Sequence, residues 1–196
     1  MKNFRAYITE SELSPLTHVM SGSFIDPLFF IGQDTNKRIG YEHAHHAVIP
    51  GKNGPTNLWI THLEYSDKGE HDLHFSISDN VTPELFHRTR ETMDRMGQKY
   101  DSPHEVFHTV PGEREWQELL TYHGPTTMIH VMRHMEKILR KIPSGHTINV
   151  NAIGGTNKMY KKKINAYRSI AAKGEREGLV RVLPSESSSG FRMVRL

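Results

Sequence analysis

The chain contains no cysteine, which excludes disulfide bonds and metal sites built on thiolates. It also lacks any run of about 18 apolar residues, the length that a membrane-crossing helix requires. The first residues contain no apolar core of the kind found in secretory signal peptides. With 196 residues, of which 36% are hydrophobic, the chain is long enough to bury a core. We therefore expect a folded protein with no membrane contact.

Charge is unevenly distributed along the chain. Residues 131–196 hold fourteen Lys and Arg against four acidic residues, a net charge of +10, whereas the rest holds eleven against eighteen, or −7. A basic half can contact phosphate, on nucleic acid or on a cofactor. The alternative is a solvated helix face. The predicted nucleic-acid contact consists of Lys158, Lys161, Lys162, Lys163 and Arg168.

Hydrophobic periodicity predicts the secondary structure. Apolar residues at spacings of three and four indicate helices over 83–98, 126–141 and 156–178. Strand patterns lie at 27–32, 38–49, 57–65, 71–78, 105–110, 146–153, 179–183 and 191–196. Thr126 or Thr127 is predicted to cap the second helix, and residues 51–55 are predicted to form a loop. The sequence predicts an α+β domain over residues 15–196, with a mixed, mainly antiparallel central sheet flanked by helices.

Residues 1–14 form a separate amphipathic segment, predicted to be a terminal helix or a leader. Phe4, Tyr7 and Ile8 lie at helical spacing. The tripeptide Ile8-Thr9-Glu10 resembles the processing site of capsid-targeting leaders on proteins packaged in the heads of large tailed phages. That resemblance implies a capsid or scaffold as partner, and a protein that stays in the host cytoplasm or is packaged in the virion.

Histidine is abundant, with fourteen in the chain, and several cluster between His43 and His62. The stretch from His45-His46 to Asn57-Leu58 resembles the front of an HNH nuclease module. Such chemistry needs a histidine base beside a divalent metal and an asparagine that orients it. One interpretation is therefore a metal-dependent nuclease using His45, His46 and Asn57. Others are a simple metal site of His43, His45 and His62, or histidines exposed on a strand and loop.

The second half of the chain carries a family resemblance. A strand, a Gly-containing turn, a helix, a strand with Asn and a helix with an early Tyr resemble the GNAT (GCN5-related) acyltransferase fold. The segment Tyr122-His-Gly-Pro-Thr-Thr-Met128 sits where that family keeps its pyrophosphate loop, at a helix N-terminus with free N–H groups. The resemblance implies acetyl-CoA or another acyl-CoA as cofactor, and Tyr160 as general acid toward the thiolate. The implied cofactor-binding residues are Gly124, Thr126, Thr127 and Met128.

More narrowly, residues 128–160 resemble uncharacterised GNAT-like proteins of large tailed phages. Three functions stay open at this point. The first is an acyl-CoA-dependent N-acyltransferase without a metal, or a degenerate one, since Pro125 removes one amide donor from the loop. The second is a non-catalytic virion-associated or injected phage protein that binds a partner or nucleic acid through its basic C-terminal helix. The third is the HNH-like nuclease.

Overall fold

A computed structural model describes most of the chain. It covers residues 14–25, 39–65, 69–98, 103, 106, 124–151, 157–184 and 190–196, with the backbone alone at 24, 25, 39, 125, 151 and 157–163. The strands are β1 (Thr17–Ile25), β2 (Ile39–Gly51), β3 (Gly54–Tyr65), β4 (Glu70–Ser78), β5 (Thr147–Asn151), β6 (Val180–Val182) and β7 (Gly190–Arg195). The helices are α1 (Pro83–Arg95), α2 (Pro125–Leu139) and α3 (Asn157–Arg176).

The described strands form a seven-stranded sheet in the order β1-β2-β3-β4-β5-β7-β6. All neighbouring strands are antiparallel except β4 and β5, which are parallel. The mixed, mainly antiparallel sheet predicted from the sequence is confirmed. The first four strands follow one another as a meander, whereas β5 reaches β4 only after two described helices have intervened.

The main core lies between the sheet and helices α2 and α3. Alternation along β3 and β4 directs every second side chain to this face. The apolar stripe of α2 meets it, as the spacing of its methionines and branched residues predicts. The largest side chains of this core are fully or almost fully buried: Leu58, Ile60, Leu73, Phe75, Ile77, Met135, Ile138, Leu139 and Tyr167.

A smaller core covers the opposite face, under α1. Trp59 is 1% exposed, and its indole N–H donates to the carbonyl oxygen of Val81 at 2.8 Å. The ring of Phe86 packs against it with the centroids 5.3 Å apart. Helix α1 begins where the Thr82 hydroxyl accepts from the Leu85 amide and Pro83 opens the first turn. Helices therefore cover both faces of the sheet.

Most predicted elements are confirmed, and the differences have local causes. Strand β1 was not predicted, because its apolar residues come as the adjacent pairs Val19-Met20 and Phe24-Ile25 and do not alternate with polar ones. The predicted loop 51–55 is a tight turn at Lys52 and Asn53 between two long strands. Val106, within the predicted strand 105–110, is helical. Residues 1–13 and the predicted strand 27–32 lie outside the described residues.

The predicted threonine cap of α2 is wrong. Gly124 holds the N-cap position, and no side chain there accepts a hydrogen bond from the first turn. Instead, the Thr127 hydroxyl donates to the carbonyl oxygen of Pro50 at 2.7 Å. This bond ties the start of α2 to the turn between β2 and β3. Across the described part of the chain, no helix combines the length and apolar character that a membrane span demands.

Candidate functional site

The parallel pair of β4 and β5 is the shortest contact in the middle of the sheet. Three residue pairs join it, from Glu70 opposite Thr147 to Asp72 opposite Asn149. Pairing ends there, although β4 continues to Ser78 and β5 to Asn151. We call this short pair the seam. Beyond the seam, backbone groups of β4 must find partners other than β5.

Tyr167 of α3 supplies one such partner. The backbone N–H of Phe75, three residues past the seam, donates to the Tyr167 hydroxyl at 3.1 Å. The two rings pack edge to face with centroids 4.9 Å apart. Burial raises the pKa of Tyr167, so its hydroxyl stays neutral at physiological pH. The phenol therefore satisfies the amide without introducing a charge into the core.

Helix α2 begins at the edge of the sheet toward which β4 and β5 run. Thr127 bonds to Pro50, whose strand neighbour is Pro55, and Asn57 pairs with Ser78 at the end of β4. The N-terminal N–H groups of α2 thus lie at the carboxyl edge of the parallel strands. A helix start of this kind favours anions.

The predicted cofactor-binding residues have different environments. Gly124 and Thr126 are exposed at the helix start. Thr127 is 2% exposed and its hydroxyl is already engaged by Pro50, while Met128 packs against the main core. A phosphate contact of Thr127 would therefore come from its backbone N–H, whereas the Met128 N–H already donates to the carbonyl oxygen of Gly124. Tyr160 lies in the first turn of α3, and its side chain is outside the described part.

Histidines form a row from β1 to the seam, on the same sheet face as the main core. On β1 and β2, the Ser21 hydroxyl shares hydrogen bonds of 2.7 Å with His18 Nε2 and with His43 Nδ1. His43 lies directly opposite His62 on β3, with the ring centroids 5.7 Å apart. The ring of His45 meets His18 at 5.5 Å.

The row continues through three imidazoles in direct contact. His62 Nε2 lies 2.9 Å from His71 Nδ1, and His71 Nε2 lies 2.8 Å from His146 Nδ1. The ring planes of the two pairs are inclined by only 28° and 26°, with centroids 5.0 and 5.1 Å apart. We call His62, His71 and His146 the imidazole chain. It spans β3, β4 and the residue that precedes β5, so it crosses the seam.

Gly69 makes room for the last ring of this chain. It has a φ of +60°, and a Cβ built on it would lie 3.2 Å from the His146 ring. A side chain at this position would be strained by the backbone and would press on the imidazole. His71 is 1% exposed, whereas His62 and His146 are partly exposed. The chain therefore has a buried middle and two ends nearer to solvent.

Burial keeps these histidines neutral. It lowers the pKa of His62 to about 3, and His71, His43, His45 and Lys141 add to the effect because like charges repel. Burial also lowers the pKa of His45 to about 4 and lowers that of His71 and His43. Glu64 opposes the shift at His71 and His43, since a carboxylate stabilises an imidazolium. At pH 7 these are uncharged imidazoles that both donate and accept hydrogen bonds.

The predicted metal site is brought together only in part. His43 and His62 face each other, but His45 turns its ring toward His18. Among the residues that the structure describes, no group of three or more His, Asp or Glu side chains is arranged to hold a metal ion.

The residues of the nuclease prediction are divided between the two faces. His46 Nε2 shares a hydrogen bond of 2.8 Å with Asn57 Oδ1, and both side chains are buried. This pair is on the face that α1 covers, where the ring centroids of His46 and Trp59 are 4.9 Å apart. His45 points to the opposite face, as alternation along β2 requires. The predicted pairing of a histidine with an orienting asparagine thus occurs, without His45.

Sequence reasoning missed His71, His146 and the bridging Ser21. The high histidine count and their strand positions were the available signal. Locating His71 beside His146 requires the parallel pairing of strands 75 residues apart, which no local pattern encodes. Comparison of the chain with protein-family models, with curated proteins and with solved structures gave no match.

Proposed function

We propose that this protein is an acyl-CoA-dependent N-acyltransferase or a close derivative of one, with a GNAT-like fold. The observation that carries the proposal is the seam, a parallel strand pair that parts within an otherwise antiparallel sheet. Where strands part, a ligand with amide groups can pair with their backbone donors and acceptors, although the Phe75 N–H is already engaged by Tyr167. The arm of an acyl-CoA carries such amides and a pyrophosphate.

The start of α2 supports the same proposal. It lies at the carboxyl edge of β4 and β5, and no side chain caps its N–H groups. A pyrophosphate there would accept from the backbone N–H groups of Thr126 and Thr127, since the Met128 N–H already donates to the carbonyl oxygen of Gly124. Pro125 contributes no N–H, so the site has one donor fewer than a helix start normally offers. In this proposal Gly124 gives the phosphates access, and Tyr160 is the general acid.

A thermal-shift titration with acetyl-CoA tests the proposal. A bound ligand at a hundredfold excess over its Kd stabilises the folded state by about 2.7 kcal/mol. Polyphosphate serves as the control for simple charge attraction. A saturable shift with acetyl-CoA and none with polyphosphate is the expected result. Equal shifts with both, or none with either, would refute an acyl-CoA site.

Gly124 offers a matched pair of variants for locating the phosphate. Its φ is −75°, and a Cβ there would meet nothing within 4 Å, so a side chain fits. Gly124→Asp and Gly124→Asn both add an N-cap of the same size. The carboxylate would repel a pyrophosphate, whereas the amide would not. We expect acetyl-CoA affinity to be about tenfold lower in Gly124→Asp than in Gly124→Asn, because both side chains compete for the same N–H groups and only the carboxylate is charged.

A second candidate is a non-catalytic phage protein that binds nucleic acid through α3. The observation that favours it is Arg168, exposed on the helix whose first two turns hold Lys158, Lys161, Lys162 and Lys163. Affinity for DNA should then fall steeply with salt, and replacing the lysines by Gln should reduce the salt slope. A DNA affinity that does not change with salt concentration would argue against this candidate. Detection of the protein cut after Glu10 in virions would connect it to a capsid.

A further inference from the structure

The imidazole chain has a restricted set of proton arrangements. A neutral imidazole carries one N–H and one bare nitrogen. Each contact in the chain, His62 to His71 and His71 to His146, therefore needs one ring to donate and the other to accept. His71 uses both of its nitrogens. As a result, the three rings must all carry the hydrogen on Nδ1, or all carry it on Nε2.

We propose that His62, His71 and His146 form a proton relay across the seam. In one arrangement the three Nδ1 atoms are protonated, and His146 Nε2 is bare. A proton that binds there lets His146 pass its Nδ1 hydrogen to His71 Nε2. His71 passes its own Nδ1 hydrogen to His62 Nε2, and His62 releases one proton from Nδ1. One proton enters, one leaves, and each ring ends neutral with its hydrogen on Nε2.

The surroundings of the chain suit such transfer. His71 is 1% exposed, so protons reach it through its two neighbours and not directly from water. Glu64, which lies opposite His71 on β3, stabilises a transient imidazolium there. Lys141, just after α2, and the rings of His43 and His45 disfavour a charge on His62. Burial disfavours a charge on both rings, and Glu64 makes that penalty smaller at His71 than at the His62 end of the chain.

The relay would serve a nucleophile that loses a proton at the seam. In the proposed acyl transfer that nucleophile is an amine, and this use rests on the proposed function. The relay itself does not, because proton arrangement in the rings can be measured without any ligand. Failure of the acetyl-CoA titration and failure of the relay are thus separate results.

Nitrogen NMR of the full chain with labelled histidine tests the relay. Each ring nitrogen reports by its chemical shift whether it carries hydrogen. At pH 7.5 we expect the three rings to have the same tautomer fraction and to exchange between tautomers at one common rate. His71→Gln keeps hydrogen bonding but cannot change tautomer, so the common rate should disappear from His62 and His146. The exposed His87 on α1 provides the control variant, His87→Gln, which should leave the exchange unchanged.

A second variant covers the case in which His71→Gln does not fold. His62→Phe removes one end of the chain and leaves His71 Nδ1 facing a ring without nitrogen. We expect exchange at His71 and His146 to slow at least tenfold. The proposal is overturned if the wild-type rings hold fixed or different tautomers. It is equally overturned if exchange persists at the wild-type rate in either variant.

Discussion

One face of the sheet has two ends of opposite chemistry. Toward the β2–β3 turn, β3 and β4 present Leu58, Ile60 and Phe75, which are at most 1% exposed under α2 and α3. Toward the other end, the same two strands present His62 and His71. Burying apolar side chains stabilises a fold, whereas burying imidazoles costs free energy unless their ring nitrogens find hydrogen-bond partners. We therefore expect the apolar end to contribute most of the stability of the fold and the imidazole end to contribute little of it at neutral pH.

The largest effect should come from the main core. Leu73 is fully buried in the main core, and Leu73→Ala is expected to lower the free energy of unfolding by about 2–5 kcal/mol. Urea unfolding at pH 7.5 measures it. The control is Val48→Ala, since Val48 is 41% exposed and its loss should change stability by about 0.5 kcal/mol at most. A cost for Leu73→Ala no greater than that of the control would contradict the assignment.

A smaller effect is expected where the core meets the seam. Tyr167→Phe removes the hydroxyl that accepts from the Phe75 amide and leaves a buried donor unsatisfied. The expected loss of stability is about 1–3 kcal/mol. Urea unfolding measures this loss, and amide hydrogen exchange at Phe75 should accelerate with it. Unchanged exchange at that amide would show that another group satisfies it.

Lowering the pH should destabilise the protein by protonating histidines at the imidazole end. The folded-state pKa of His62 is about 3 and that of His45 is about 4, both below the ordinary value of 6.5. Stability from such groups is fully present above pH 6.5 and is lost as pH falls toward 4, because the unfolded chain takes up protons first. Each proton contributes a slope of about 1.4 kcal/mol per pH unit.

Chemical unfolding at several pH values between 7.5 and 4.5 measures that slope. His62→Gln should flatten it, because glutamine does not titrate. His134, on α2, is completely buried with a pKa lowered to about 4 by burial, so part of the slope should remain in His62→Gln. If the slope of unfolding free energy against pH were identical to that of the wild type, His62 would not contribute to it.

The smallest effect is expected at neutral pH from the imidazole chain itself. His146→Gln keeps a side chain that can hydrogen-bond to His71, and His146 is partly exposed. We expect a change in unfolding free energy of about 1 kcal/mol or less at pH 7.5. A loss as large as that of Leu73→Ala would mean that the imidazole chain stabilises the fold as much as a fully buried core residue does.

Local patterns in the sequence were sufficient for most elements. Alternation predicted the β3–β4 hairpin, and apolar spacing predicted α2, because those signals arise from one segment at a time. The candidate site could not be predicted from such local patterns. Strand β1 lacks regular alternation of apolar and polar residues, and the neighbours of His71 depend on register and on a long-range parallel pair. Thr127 was predicted to contact phosphate, yet its hydroxyl bonds to Pro50, a contact between distant segments.

The position of the seam also sets an order of assembly. Strands β1 to β4 pair with their neighbours in sequence, so they can form early with little loss of chain entropy. Strand β5 must close a loop that separates His71 from His146 by 75 residues, and such closure is slow. We therefore expect the three imidazoles to come together after the meander has formed. A chain stalled before that stage would have a formed meander but no continuous row of rings.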